Sequence, residues 1–337
     1  MNFSFKRMLA TLWVRNKEFY RDRGTLGWIF IFPLLCILSF GYLFDLDEKG
    51  SFKVGFVGEK KQQIKMFNWI KYQNLNLAKE SIRRQKLDLV VDYRSRPFRY
   101  WIAENSPNGK IAEKIWLASF GKKVGPQPIK KNINGRKVRY IDWLFPGLLT
   151  MNVLWMALWG VGWVIVRQRK FGILKRFKAS PLTALEYLVA QMLSRLTVIV
   201  GSGIILFAGA HFIYPFETLG SYFDILIIYS LGCFSLSSIG LIVAARMTSE
   251  EFANNILNLL TYPMMFLSEI WFSLEGSSNL IKSFAYAMPL YHMTDAIRRI
   301  MADGATLFDL WPSILILLGT GIIFTATGAG LFKWNRD

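Results

Sequence analysis

Nineteen consecutive residues from Leu26 to Phe44 carry no charged side chain, and a basic cluster that includes Arg15, Lys17, Arg21 and Arg23 stands directly before them. A run of that length matches the roughly 20 residues that cross about 30 Å of hydrocarbon. Short basic flanks stay on the cytoplasmic side. Residues 25–44 are therefore expected to form a membrane span, with 1–24 as a cytoplasmic amphipathic segment at the interface. Within that segment Phe5, Met8, Leu9, Leu12 and Trp13 recur at helical spacing, a pattern that suits a helix lying in the headgroup region or filling a partner's groove. A secretory leader is the competing reading. Its charged lead would be too long, and Gly41-Tyr42-Leu43-Phe44 offers no small-residue cleavage site.

Five further apolar segments follow a long polar insertion, at about 143–166, 187–212, 223–245, 252–272 and 311–333. Each is long enough to cross. Six spans put both chain ends on one side, and the short connections indicate which side. Lys6, Arg7, Arg15, Lys17, Arg21 and Arg23 precede the first span, and Arg167, Arg169, Lys170, Lys175, Arg176 and Lys178 follow the second. The opposite connections are poor in charge: 213–222 has no Lys or Arg, and 273–310 has Lys282, Arg298 and Arg299. Both ends are thus expected in the cytoplasm. The whole carries 41 Lys plus Arg against 23 Asp plus Glu, a net charge of +18. No basic helix or aromatic platform stands clear of the spans to use that charge on nucleic acid. Anionic lipid and protein partners are the better account.

Residues 45–142 read as an extracytoplasmic α/β domain, since long translocated segments escape the charge rule. Short runs at 52–57, 87–93 and 99–103 have strand character, and 63–72, 78–86 and 108–120 have helical spacing. The tail through Gly121, Gly125, Pro126 and Pro128 to Asn132, Asn134 and Gly135 is rich in turn residues and reads as a loop returning to the membrane. The fold class expected is mainly α: a polytopic membrane protein of six helices with this small domain inserted.

The loop over 167–181 is the most informative polar segment. Phe171, Ile173, Leu174 and Phe177 make an apolar stripe in a basic background, which fits a partner's groove or a surface of anionic lipid. After the fifth span, Gly276-Ser277-Ser278-Asn279 breaks the helix, and 280–288 is too short to cross. A re-entrant hairpin over 273–292 on the external side is expected, packed in protein as such backbone must be. An ordinary amphipathic surface segment is its alternative.

Several of these stretches resemble the type 2 ATP-binding-cassette export permeases, in the subset with a large external domain after the first span. The likeness rests on Tyr140-Ile-Asp142-Trp-Leu-Phe-Pro146-Gly147, on Arg169-Lys-Phe-Gly172-Ile-Leu-Lys-Arg-Phe-Lys-Ala-Ser-Pro181, on Tyr262-Pro263-Met-Met-Phe-Leu-Ser268, and on Met288-Pro289-Leu290-Tyr-His-Met-Thr-Asp-Ala-Ile-Arg298. The resemblance implies a pair of six-span subunits, identical or not, driven by two cytoplasmic ATPase subunits that bind ATP and Mg. It makes Arg169, Lys170, Phe171, Gly172, Leu174, Lys175, Arg176 and Phe177 a coupling helix in the ATPase groove, with a smaller contact from Arg246, Glu250 and Glu251. It also leaves room for a periplasmic partner on the external domain. The chain has no Gly-x-x-x-x-Gly-Lys-Ser/Thr phosphate loop, so no cofactor is assigned to it and hydrolysis is assigned to the partner.

Charges within spans suggest a pathway or a pairing role. Glu269, where relatives often have glycine, and Arg195 are the candidates, alongside Pro289 at the hairpin and Trp155 and Trp159, which recur with Trp163 every four residues. The bland alternatives are that Glu269 reaches interfacial water, Arg195 snorkels and the tryptophans pack or meet lipid. Gly321, Thr325 and Ala329 form a small-residue ladder suited to close helix contact. His211 and His292 are far apart, Cys36 and Cys233 lie in apolar spans, and no metal site or catalytic nucleophile is expected. The competing class is an integral-membrane enzyme or a membrane-anchored scaffold acting through its external domain.

Overall fold

A computed structural model describes residues 3–46, 52–59, 64, 66–83, 87–95, 97–103, 106–119, 128–133, 140–216, 218–275 and 277–334. Gly121, Gly125, Pro126, Asn134, Gly135 and the helix-breaking Gly276 lie outside them. The chain divides into two compact units, one of 1–39, 141–272 and 279–337, the other of 40–140 and 273–278. The chain opens on α1 (Phe5–Arg21) and α2 (Arg23–Leu46), which meet near Asp22 with a bend of 59°. One face of α1 buries Met8, Arg15 and Phe19, while Phe5, Leu9, Trp13 and Tyr20 stay exposed.

The second unit is a five-stranded mixed sheet with a helix on each face. Its elements are β1 (Phe52–Val57), β2 (Phe67–Lys71), α3 (Leu75–Arg83), β3 (Leu89–Asp92), β4 (Arg99–Ala103), α4 (Pro107–Ala118) and β5 (Ile129–Ile133), in sheet order β2-β1-β3-β4-β5. Only β3 and β4 pair antiparallel. Alternation along β1 sends Phe52, Val54 and Phe56 to the layer that holds Trp116 of α4, and Val57 to the layer that holds Ala78 and Ile82 of α3. β1 and β4 match the expected runs. Two expectations fail. Residues 67–71, assigned to a helix, form β2, because Phe67 and Ile70 are buried while the backbone pairs in parallel with β1. Residues 129–133, assigned to a loop, form β5, an edge strand too polar to show a strand pattern and defined by its pairing with β4.

A buried acid ties α4 to this sheet. Glu113 accepts from the Tyr100 hydroxyl at 2.7 Å and from Lys130 Nζ at 2.8 Å. Burial and the neighbouring carboxylate push the Tyr100 phenol above its ordinary value of 10.0. A group whose folded pKa is raised stabilises fully below its unfolded value and loses that contribution as pH climbs past it. Tyr100→Phe is accordingly expected to flatten the alkaline limb of the domain's unfolding curve, read by circular dichroism across pH. An unchanged limb would count against the pair.

The remaining helices belong to the first unit: α5 (Tyr140–Ala157), a π-helical segment (Leu158–Trp163), α6 (Val164–Lys170), α7 (Ile173–Ala179), α8 (Ala184–Ile213), α9 (Tyr222–Arg246), α10 (Glu250–Leu267), α11 (Asn279–Tyr286), α12 (Pro289–Asp303) and α13 (Trp311–Leu331). Among the described residues four helical stretches are long and apolar enough to cross a membrane, at Asp142–Lys170, Ala184–Ile213, Tyr222–Arg246 and Leu307–Leu331. A fifth arises if bent α1 and α2 count as one span. The segment expected over 252–272 does not reach that measure. Its helix ends at Leu267, and its first turn contains Glu250 and Glu251.

Close packing sets the helix order. In α13, Gly321 faces the Phe234 ring and Gly328 faces Leu241, both on α9, so the small-residue contact runs through 321 and 328. Thr325 turns instead toward Met192 of α8, its hydroxyl 3.7 Å from the sulfur. Residues 273–278 belong to the second unit, where Glu275 accepts a short hydrogen bond from Tyr72. Pro289 starts α12, a fifteen-residue helix that buries Leu290, Met293, Ile297 and Ile300. Proline fits there because the first helical N–H needs no intrahelical acceptor.

Candidate functional site

The helix that leaves the second apolar stretch stops at Phe171 because Gly172 adopts φ 71°, a left-handed conformation that costs glycine little. The chain then re-forms α7, and Ser180 ends it. This turn sorts the expected coupling residues into two sets. Phe171 is 61% exposed, and Lys170, Lys175 and Arg176 are exposed with it, as is Lys178. Leu174 is fully buried and Phe177 packs on the Tyr187 ring at 5.7 Å. The apolar stripe read from sequence therefore does not present one continuous face, and Phe171 is its exposed ring.

Arg169 is the clearest correction. The resemblance counts it among the ATPase-coupling residues, yet only 3% of it is accessible. Its guanidinium donates to the carbonyls of Ala245 at 3.2 Å and Lys333 at 2.9 Å, and through a short bond to that of Met247. These carbonyls lie at the carboxyl ends of α9 and α13, where helices leave acceptors unsatisfied and a cation is favoured. Beside it, buried Tyr187 donates to Gln168 at 2.6 Å and stacks near Phe332 and Trp334. The neighbouring Lys170 points the other way and pairs with Glu250 at 3.0 Å. The two loops expected to act together are thus joined by one ion pair, while Arg246 and Glu251 remain exposed.

Elsewhere in the same unit, Glu269 takes φ 53°, the single left-handed non-glycine residue among those described. A glycine would suit that backbone. The carboxylate does not reach open water: it lies 3.5 Å from Arg298 Nη1, with side-chain exposures of 5% and 8%. Arg298 also donates to the Glu269 carbonyl at 2.7 Å and to the Trp143 carbonyl at 3.3 Å, and lies 4.2 Å over the Trp143 ring. Gly147 permits this approach, because a Cβ there would sit 2.7 Å from the Ile270 carbonyl oxygen.

The family profile described as ABC-2 family transporter protein matches residues 23–329. The chain belongs to that family. It is also similar to the inner membrane transport permease YhhJ of Escherichia coli (strain K12) and of Shigella flexneri, 24% identical over 183 residues in each case. That match covers 53% of this chain and 49% of the relative, so the chain spans about half the length of the curated relatives it matches.

In this ABC-2 transporter the other candidate residues are scattered. Trp155 and Trp159 are ring neighbours at 4.6 Å; the first packs near Tyr262 and the second donates to Asn254 at 3.0 Å, both on α10. Trp163 instead stacks under Arg167 at 4.9 Å, since the π-helical turn between them breaks the four-residue phase. Arg195 is buried rather than snorkelling, 5.6 Å over the Phe19 ring. Reading the sequence missed Arg298 as the partner of Glu269, and Glu186 as an anchor. Glu186 caps α8 with Thr183 and accepts from Arg7 at 2.7 Å. The Thr183-x-x-Glu186 spacing was the signal available for the cap.

Proposed function

We propose that this chain is the permease subunit of an ATP-binding-cassette exporter and that the Phe171 knob is where a separate ATPase subunit grips it. The observation that carries this reading is a large apolar ring, 61% exposed, at the tip of a short helix pair ringed by Lys170, Lys175, Arg176 and Lys178. An exposed aromatic within a charged rim is the anatomy of a docking anchor. Arg246, Glu250 and Glu251 supply the adjoining contact, with Lys170 and Glu250 holding the two loops in register. The partner binds ATP and Mg and performs the hydrolysis; this subunit converts the partner's motion into rearrangement of its helices.

In the full reading, α2, α5 with α6, α8, α9, α10 and α13 cross the inner membrane, both chain ends are cytoplasmic, and the second unit lies outside. Two permease subunits assemble around a route for an amphipathic cargo, drug-like or lipid, moving outward. Trp155 and Trp159 border that route. Glu269 braces the turn after α10 by pairing with Arg298, and Pro289 sets the start of the external helix α12. The second unit offers its surface to a periplasmic partner.

Replacing Lys170, Lys175 and Arg176 together by glutamate is expected to cut recovery of a co-purifying ATPase by about tenfold or more, since reversing a charged rim opposes docking by a few kcal/mol. Thermal stability should stay near wild type, as exposed charges contribute little to folding. Undiminished co-purification would overturn the docking assignment, as would labelling of Phe171→Cys by an impermeant reagent from outside intact cells.

A further inference from the structure

Where α1 packs along α8, the seam holds more positive than negative charge. Ser194 Oγ donates to Asn16 Oδ1 at 2.6 Å, which places Arg15 and Phe19 of α1 beside Arg195 of α8. Arg195 is 8% exposed, its Nε is sealed in without a hydrogen-bond partner, and it lies 5.6 Å over the Phe19 ring. Its backing is tight: a Cβ on Gly160 would meet the Arg195 Cδ at 2.7 Å. Arg15, one turn before Phe19, is 3% exposed and is paired with Glu18, whose side chain is 64% exposed. Two enclosed guanidinium groups thus share a single, mostly solvated carboxylate. Buried charge of that kind calls for a further anion.

The depth of the seam says where the anion comes from. The thirty residues of α8 measure about 45 Å, roughly ten residues more than the hydrocarbon requires. Polar side chains mark the amino end as the overhang: Glu186, Gln191 and Ser194 lie there, and the run from Val198 to Ala210 is almost wholly apolar. Arg195 accordingly sits where the overhang meets the hydrocarbon, at the level of lipid headgroups. Arg21 and Arg23 flank the α1–α2 bend close by in sequence, and Trp13 and Tyr20 of α1 are exposed as interfacial aromatics are.

We propose that Arg195 and Arg15 form, across the α1–α8 seam, a site for the phosphate of an anionic bilayer phospholipid. A phosphate oxygen there would accept from the terminal Nη groups of Arg195, which unlike Nε are not sealed against the Gly160 wall, in the geometry arginine favours, while the acyl chains follow the apolar part of α8. The site is independent of any ATPase contact at Phe171.

Native mass spectrometry of the purified full chain tests it, with phosphatidylglycerol, an uncharged glycolipid of the same chains, and inorganic phosphate as parallel probes. Wild type should retain phosphatidylglycerol in preference to both others. Arg195→Gln should lose that retention by about tenfold, the weight of one charge-assisted contact, and Arg195→Lys should restore part of it, which separates binding from misfolding. Equal retention of the glycolipid, binding of phosphate alone, or unaltered phosphatidylglycerol on Arg195→Gln would each overturn the proposal.

Discussion

Arg298→Met is expected to destabilise the helical unit by about 3–5 kcal/mol, the cost of leaving one member of a buried ion pair without its partner. The Glu269 carboxylate is 5% exposed and would lose its arginine where little water can replace it. The substitution also removes the donors that hold the Glu269 and Trp143 carbonyls, and methionine has nothing with which to replace them. Glu269→Gly should behave differently. It relieves a left-handed backbone that costs a side-chain-bearing residue about 1–2 kcal/mol, and the arginine keeps both carbonyls and the Trp143 ring. The milder single change and the double variant therefore carry the test: Arg298→Met with Glu269→Gly should recover most of the stability lost in Arg298→Met alone, measured by thermal unfolding in detergent. Additive losses in the double variant would show that the two side chains do not act as a pair.

How far the sequence foretold this site depends on which physical signal each residue leaves. Apolar runs of spanning length are written in composition, so the long helices over 142–170, 184–213 and 222–246 were legible. The strand at 67–71 was not. Five residues with two buried positions look alike at either period, and pairing with β1 decides the outcome. The facing of Arg169 was hidden for a related reason. Adjacent helical residues point about 100° apart, so choosing which of Arg167, Arg169 and Lys170 turns inward requires the phase of the helix. The π-helical segment at Leu158–Trp163 shifts that phase just upstream, and nothing in a repeat of tryptophans announces it. Glu269 shows the limit from the other side. Its charge made it conspicuous, but its backbone conformation and its arginine, 29 positions away, exist only in the folded chain.

The phase of that helix leads to the second large effect. Arg169→Met is expected to lower stability by about 3 kcal/mol or more, because hydrogen bonds from a charged donor contribute about 1.5–3 kcal/mol each and the guanidinium serves three carbonyls. Arg169→Lys should rescue little, since an ammonium on a flexible stem cannot bridge acceptors on the ends of both α9 and α13. Lys170→Glu, one residue further on, should instead change stability by less than about 1 kcal/mol, because the Lys170–Glu250 pair is partly solvated at 46% and 20% side-chain exposure. Two neighbouring cations in one basic loop are thereby assigned opposite duties, one holding the helix ends together beneath the knob and the other facing outward upon it. Thermal unfolding and ATPase recovery, measured on both variants, separate these duties. Arg169→Met should fail in the first assay, and Lys170→Glu should fail only in the second. A wild-type melting temperature for Arg169→Met would mean that the carbonyl ends of α9 and α13 find their partners without it.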